Sequence, residues 1–451
     1  MTPRTLTAPP GGLRRGGVAP SAISPAPAGP LSQVRPANPL LLAWLGVLIL
    51  LTSSRLIELI AIPGLVLGSM LVLLLLAAVT NRLWGSLTSR PALIMLALSL
   101  WMVPCAVFGM WPGGSVRLVT SLWSRGLLLH ILVVSLVSDL RAVHRIAKVL
   151  AFSSLAVAIM SFSLAAQVMG RFTIDTASLS NPNDLAFFLL LGLPFAVWYA
   201  LDSRHLKIVR LIMAASVLRS LMVLLITGSR MGLVAAVLVL LVLFVTGTWR
   251  LRASLVLLAA LSLPLAVAIL PEWLERRYLT VFSSDVESPE GDLEVERAAG
   301  SARQRRVNLI NSLVVTVQHP LFGVGPGNFG DANAVLTRET AERANWQQTH
   351  NAFTQVSSEC GVPGALLFLA LALYCLRHAY GLRNMAKANP ALHPWAPLAL
   401  CLFVAVVAYC VCAMFGSLAY GIHLPLLAGL VLCLERAFGM EASRAAAAAG
   451  K

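Results

Sequence analysis

Charge is scarce in this chain. Asp, Glu, Lys and Arg make up only 12% of its 451 residues, while 58% are hydrophobic. A soluble domain carries about 25% charged residues, so a water-solvated globule is excluded and lipid is the solvent. Acids are the scarcer sign, 19 against 34 Lys and Arg. The resulting charge of +15 does not point to nucleic acid, because the basic residues are scattered between apolar runs and not clustered with aromatics. Cysteine is thin as well. None of the seven forms a CxxC pair, which excludes a zinc ribbon or a disulfide scaffold. The apolar runs lack the alternation of barrel strands, and no internal repeat marks the two similar halves of many transporters.

What is present is a series of continuous apolar runs, several near the ~20 residues that a helix needs to cross a bilayer. Backbone groups in lipid must be satisfied within each segment, so these runs are helices and the fold class is all-α, polytopic. About twelve spans are expected: 39–53, 57–79, 91–111, 116–138, 144–168, 184–201, 206–227, 231–248, 252–271, 361–379, 394–415 and 419–437. Pro63 and Gly64 interrupt the second. Residues 1–38, rich in Pro, Ala, Gly and Ser and free of acid, read as a disordered tail. The plan is then a tail (1–38), nine spans (39–271), a long polar loop (272–352), three spans (353–437) and a second tail (438–451).

The positive-inside rule orients this plan. With both termini cytoplasmic, twenty Lys and Arg fall on the cytoplasmic side, and the short outer loops hold only Arg55, Arg117, Arg171 and Arg230. The 272–352 loop then faces outward. It contains eleven of the nineteen acids, many between Asp285 and Glu296, and eight arginines.

Chemistry is expected in that loop. Residues 301–318 read as an interfacial helix, with Ser301 as N-cap, Ile310, Leu313, Val314 and Val317 on one stripe, and Pro320 as the stop. Arg303 and Arg306 lie near the stripe; Arg305 faces away with Leu309 and Ser312. Such arginines either snorkel to headgroups or bind a phosphate substrate. Gly323-Val324-Gly325-Pro326-Gly327-Asn328 lacks the Lys-Ser/Thr of a P-loop and the spacing of a dinucleotide fingerprint. It is either a plain tight turn or a set of backbone N–H groups aimed at an anion. His350-Asn351 stands at the return to the membrane. Thr227-Gly228-Ser229-Arg230 is a second basic break on the same face, and Arg125 and Arg219 lie within spans, where an ionisable group suggests function.

Taken in order, Thr-Gly-Ser-Arg230, Arg305 upstream of Pro320-Leu321-Phe322-Gly323-Val324-Gly325-Pro326-Gly327-Asn328-Phe329, then His350-Asn351 and Glu359-Cys360-Gly361-Val362-Pro363-Gly364, resemble the O-antigen ligase and O-antigen polymerase superfamily over roughly 181–375. The resemblance implies a C-type glycosyltransferase-like membrane protein of the bacterial inner membrane. It would take a glycan from an undecaprenyl-diphosphate donor at the outer face, without metal, nucleotide sugar or other cofactor. The acceptor would be a lipid A core or another glycan, with polysaccharide-assembly proteins as further partners. Arg230 and Arg305 match the arginines that would stabilise the leaving diphosphate. Leu309 stands where the family usually has Trp, so Arg303 and Arg306 remain alternatives to Arg305. His350, expected to titrate near neutrality, matches the general base. Arg125, Gly325, Gly327, Asn328 and Asn351 are the further candidates for donor binding. Polymerase, protein O-glycosyltransferase and lipid-linked glycan transporter are the competing functions.

Overall fold

The computed structural model describes residues 38–60, 62, 64–168, 170–269, 271–279, 293–339 and 345–449. The tail expected over 1–38 lies outside the described residues apart from Asn38, as do residues 280–292, which carry part of the acidic stretch.

The helices are α1 (Pro39–Ser53), α2 (Ile57–Ile60), α3 (Leu65–Val79), α4 (Trp84–Leu87), α5 (Arg90–Val107), α6 (Pro112–Leu118), α7 (Ser124–Leu136), α8 (Leu140–Ser163), α9 (Pro182–Leu201), α10 (Lys207–Ile226), α11 (Arg230–Thr246), α12 (Trp249–Ile269), α13 (Glu272–Leu279), α14 (Leu293–Gln318), α15 (Phe329–Glu339), α16 (Ala352–Ala388), α17 (Ala396–Ala413) and α18 (His423–Ala449). A π turn, Val119–Trp123, joins α6 to α7. Among the described residues eight helices are long and apolar enough to cross a membrane, and α1, α3 and α11 are shorter apolar helices. The helical class is therefore observed, and the eight long apolar helices are consistent with a polytopic membrane protein, with one departure. A two-stranded antiparallel hairpin, β1 (Ala165–Val168) and β2 (Arg171–Ile174), follows α8 where the sequence suggested a continuing span.

Burial sorts the helices. α9, α17 and α18 are enclosed, whereas α5 and α10 turn Leu100, Val103, Val107, Ile208 and Leu211 outward. Such an exposed apolar rim suits lipid and would be unusual in water. Loop contacts sort the helix ends into two sets. At one end Ser135 meets Ser86, Arg436 reaches the Gly85 carbonyl and Lys387 the Thr246 carbonyl. At the other Ser229 meets Asn183, and Met110 N–H meets the Val324 carbonyl. Polar side chains cap the helices that start there: Asn181 for α9, Ser229 for α11 and Asn351 for α16.

Several expected boundaries shift. The second span is broken between α2 and α3, where Gly64 takes φ +76°. The helix expected from Ser301 begins at Leu293, so Ser301 is not its cap. The last helix runs to Ala449 and absorbs most of the tail expected over 438–451. The tenth span, expected at 361, begins nine residues earlier because Asn351 accepts from Phe353 N–H (2.9 Å) and Thr354 N–H (3.1 Å). A joint inside α16 misled the hydropathy reading. Gly361 sits at φ 68°, ψ −175°, ahead of Pro363. A Cβ there would lie 2.1 Å from the Leu321 carbonyl oxygen, so only glycine fits.

Candidate functional site

The break between α10 and α11 is the floor of the site. Gly228 (φ +59°) turns the chain, and Ser229 caps α11 by accepting from Gly232 N–H at 3.1 Å. That leaves Arg230 as the first residue of α11, at the bundle end. Ser229 Oγ donates to Asn183 Oδ1 at 2.8 Å, which ties the break to the start of α9. Arg171, on the hairpin, donates from Nε to the Thr227 carbonyl (2.8 Å) and from Nη2 to Asn183 Oδ1 (3.4 Å). α13 docks onto the same turn. Its buried Arg277 donates from Nε to the Gly228 carbonyl (3.0 Å), Tyr278 Oη donates to the Leu225 carbonyl (2.6 Å), and Leu274 packs beneath. A Cβ on Gly228 would meet Leu274 Cδ1 at 2.9 Å.

Arg305 on α14 completes the group. Its guanidinium is held below the ordinary arginine range by burial and then by the neighbouring Arg277. Arg171 is pushed down to about 9, first by burial and then by Arg277 and Arg305. Four guanidiniums, from Arg171, Arg230, Arg277 and Arg305, thus feel one another at one end of the bundle. Like charges gathered out of water repel, and an anion among them would relieve that repulsion. Among the described residues Arg305 makes no ion pair.

His350 belongs to this group, since the charge of Arg305 bears on its ring. It adopts φ +52° and donates its N–H to Ser417 Oγ at 3.2 Å. The expectation that it titrates near neutrality is corrected: burial, then Arg305, lowers it to about 4. At neutral pH its ring is uncharged. The chain reaches His350 through a buried polar hub. Asn308 Oδ1 accepts from Gln304 (3.1 Å), Asn333 (3.3 Å) and Asn345 (2.8 Å), while its Nδ2 donates to the Gln348 carbonyl (3.1 Å) and to Gln347 Oε1 (3.3 Å). One fully engaged amide therefore ties α14 and α15 to the strand-like approach to His350.

The other candidates part ways. Arg303 and Arg306 are exposed, on other faces of α14 from Arg305. Asn351 spends its side chain on capping α16. Gly323, Gly325 and Gly327 all take positive φ, so the segment is a tight turn. Its donors are used internally: Val324 N–H to the Ser358 carbonyl, Gly325 N–H to the Glu359 carbonyl (both 2.9 Å) and Gly327 N–H to Glu359 Oε2 (2.7 Å). Asn328 Nδ2 donates to Trp111 O, Ser115 Oγ and Val324 O. Gly325, Gly327 and Asn328 hold α6 and α16 together instead of offering N–H groups to an anion. Glu359, fully buried, also accepts from Tyr420 Oη at 2.7 Å and clamps this turn. Arg125 joins a separate polar group, near Arg55, which also interacts with Glu58 and Asp184. Arg219 is anchored on Ser161 and covers Phe162. Among the described residues no trio of metal ligands converges at this end.

Residues 214–369 match the family model described as O-antigen ligase. Over this segment the chain is similar to the O-antigen ligase family. The matched segment contains Arg230, Arg277, Arg305 and His350, together with the Gly323 turn and Glu359 that clamps it. Arg171 lies upstream and is brought in by the hairpin. No curated protein matches the chain. That similarity supports glycosyl transfer of the ligase or polymerase kind, in a membrane, on lipid-linked glycan and acceptor.

Proposed function

We propose that the protein transfers a glycan from undecaprenyl diphosphate to an acceptor hydroxyl at the outer face of the inner membrane, as an O-antigen ligase. The observation that carries this reading is the convergence of Arg171, Arg230, Arg277 and Arg305 with His350 at one end of the bundle. In the proposed topology both termini are cytoplasmic and twelve helices cross: the eight long ones, α1, α3, α11 and α12. The arginine end then faces outward, where a lipid-borne diphosphate is presented.

The chemistry follows from charge. The acceptor oxygen attacks the anomeric carbon, its bond to the diphosphate oxygen breaks, and the electron pair leaves with the diphosphate. That group departs as an anion and needs fixed positive charge more than a proton. Guanidinium forks supply such charge bidentately, and in a water-poor site they act more strongly than in bulk. The acceptor proton goes to His350. Its neutral ring has a lone pair ready, and a bound diphosphate offsets the field of Arg305 and raises the affinity of the ring for that proton.

The test is the surface-glycan ladder of cells lacking the protein, run beside their lipid-linked pool. Long chains stranded on undecaprenyl diphosphate with bare core outside support the ligase. Core carrying one repeat, with no long chains anywhere, makes the protein a polymerase, and an unchanged ladder refutes both.

A further inference from the structure

Glycosyl transfer leaves a second cluster unused, at the opposite end of the bundle. His144 lies one turn into α8, Asp202 follows α9, and His205 precedes α10. Each offers a ligand atom, and these atoms all lie within 4.8 Å of one another. His205 Nε2 stands 3.7 Å from Asp202 Oδ2. The rise of α8 puts His144 about 28 Å from the helix end that leads to the hairpin of Arg171.

Ordinary packing explains only part of this group. Asp202 receives the Arg204 guanidinium, with Nη2 at 2.7 Å and Nε at 2.9 Å. Arg204 is 52% exposed, so its fork can move into solvent, whereas the Asp202 and His205 side chains keep 6% and 10% of their surface. The imidazoles are held by rings: His205 stacks on Tyr199 at 3.9 Å, and His144 meets Trp198 and Trp395 edge-on at 5.1 and 5.9 Å. Yet Nε2 of His144 and Nε2 of His205 are both buried with no hydrogen-bond partner. Buried polar atoms are nearly always satisfied, so a pair left open beside one carboxylate needs an explanation.

We propose that His144, Asp202 and His205 bind a divalent cation of the zinc class. Two imidazole nitrogens and one carboxylate oxygen are a borderline donor set that favours zinc or its first-row neighbours over calcium or magnesium. Three protein ligands leave a fourth position for water or an outside ligand. Tetrahedral bonds of about 2.0–2.1 Å place ligand atoms about 3.3 Å apart, so modest side-chain rotation closes the site. Arg204 competes for the carboxylate and would be released. The cation would join α8 to the α9–α10 turn and, through Trp395, brace the turn that starts α17.

The experiment uses full-length protein carrying a histidine-free tag, stripped with chelator and titrated with zinc and with cobalt. One zinc per chain is expected, with cobalt showing the intense visible bands of low coordination. His144→Ala, His205→Ala and the isosteric Asp202→Asn should each weaken zinc by about tenfold or more, while His393→Ala serves as a control and leaves it unchanged. Arg204→Ala should tighten it. Unchanged affinity in the monodisperse His205→Ala and Asp202→Asn proteins overturns the proposal, and so does weaker binding by Arg204→Ala.

Discussion

Replacing Arg305 with alanine should separate activity from stability. The guanidinium is partly buried beside Arg277, and its charge also bears on Arg171, Arg230 and His350. In the transition state it would face the departing diphosphate. Loss of one such donor should remove about 3–4 kcal/mol of stabilisation, or roughly 10²–10³ in rate, by analogy with oxyanion donors. The folded protein should respond in the opposite direction. Arg305 makes no ion pair among the described residues, so within that set its removal deletes repulsion and breaks no ion pair. Its melting temperature should hold or rise. Arg303→Ala and Arg306→Ala, on exposed side chains of the same helix, are the controls and should retain most of the activity. The assay is transfer from undecaprenyl-diphosphate-linked glycan by reconstituted protein, at equal membrane levels, with thermal unfolding measured on the same samples. Near-normal transfer by Arg305→Ala refutes the reasoning. A larger loss from Arg303→Ala would move the key arginine elsewhere.

Three further outcomes are expected. Gly361→Ala forces a Cβ to 2.1 Å from the Leu321 carbonyl oxygen at a positive φ, and should cost about 3 kcal/mol or more, read as a lower melting temperature; unchanged stability would refute the joint. Asn308→Ala strands buried amides of α15 and of the approach to His350 and should cost about 2–3 kcal/mol, with transfer falling further than stability alone explains. Acid should destabilise the protein through His350. Its folded value near 4 lies below the ordinary ~6.5, so the unfolded chain takes up the proton first as pH falls. Stability present above ~6.5 is then lost down to about 4, at most about 3 kcal/mol. Denaturant titrations of wild type and His350→Gln across that window check the sign, since the variant should lack this part of the slope.

The candidate site was partly legible in the sequence because Arg230, Arg305 and His350, which the fold brings together, sit in local patterns: a cap and break, a periodic helix, and a helix start. Arg277 and Arg171 were not legible as site residues. Their places depend on α13 and the hairpin docking onto the 227–229 turn, which is tertiary and leaves no period in the chain. Periodicity could hint at Arg305, but only burial separates it from Arg303 and Arg306. The glycines of 323–327 were open to two readings because a nest and a tight turn share the same residues, and the bonds to Ser358 and Glu359 decide between them. Hydropathy located most apolar helices, yet it misplaced the start of α16, because a cap and a jointed glycine carry no hydrophobic signal.

That joint has a consequence for length. Between the Asn351 cap and Gly361 lie the nine residues Ala352–Cys360, about two and a half helical turns. At one end they set His350 against Ser417, and at the other they receive the Gly323 turn. The segment acts as a gauge counted in residues. Inserting or deleting one would rotate His350 by about 100° against the Gly323 turn, so this stretch can tolerate a change of side chain far more readily than a change of length.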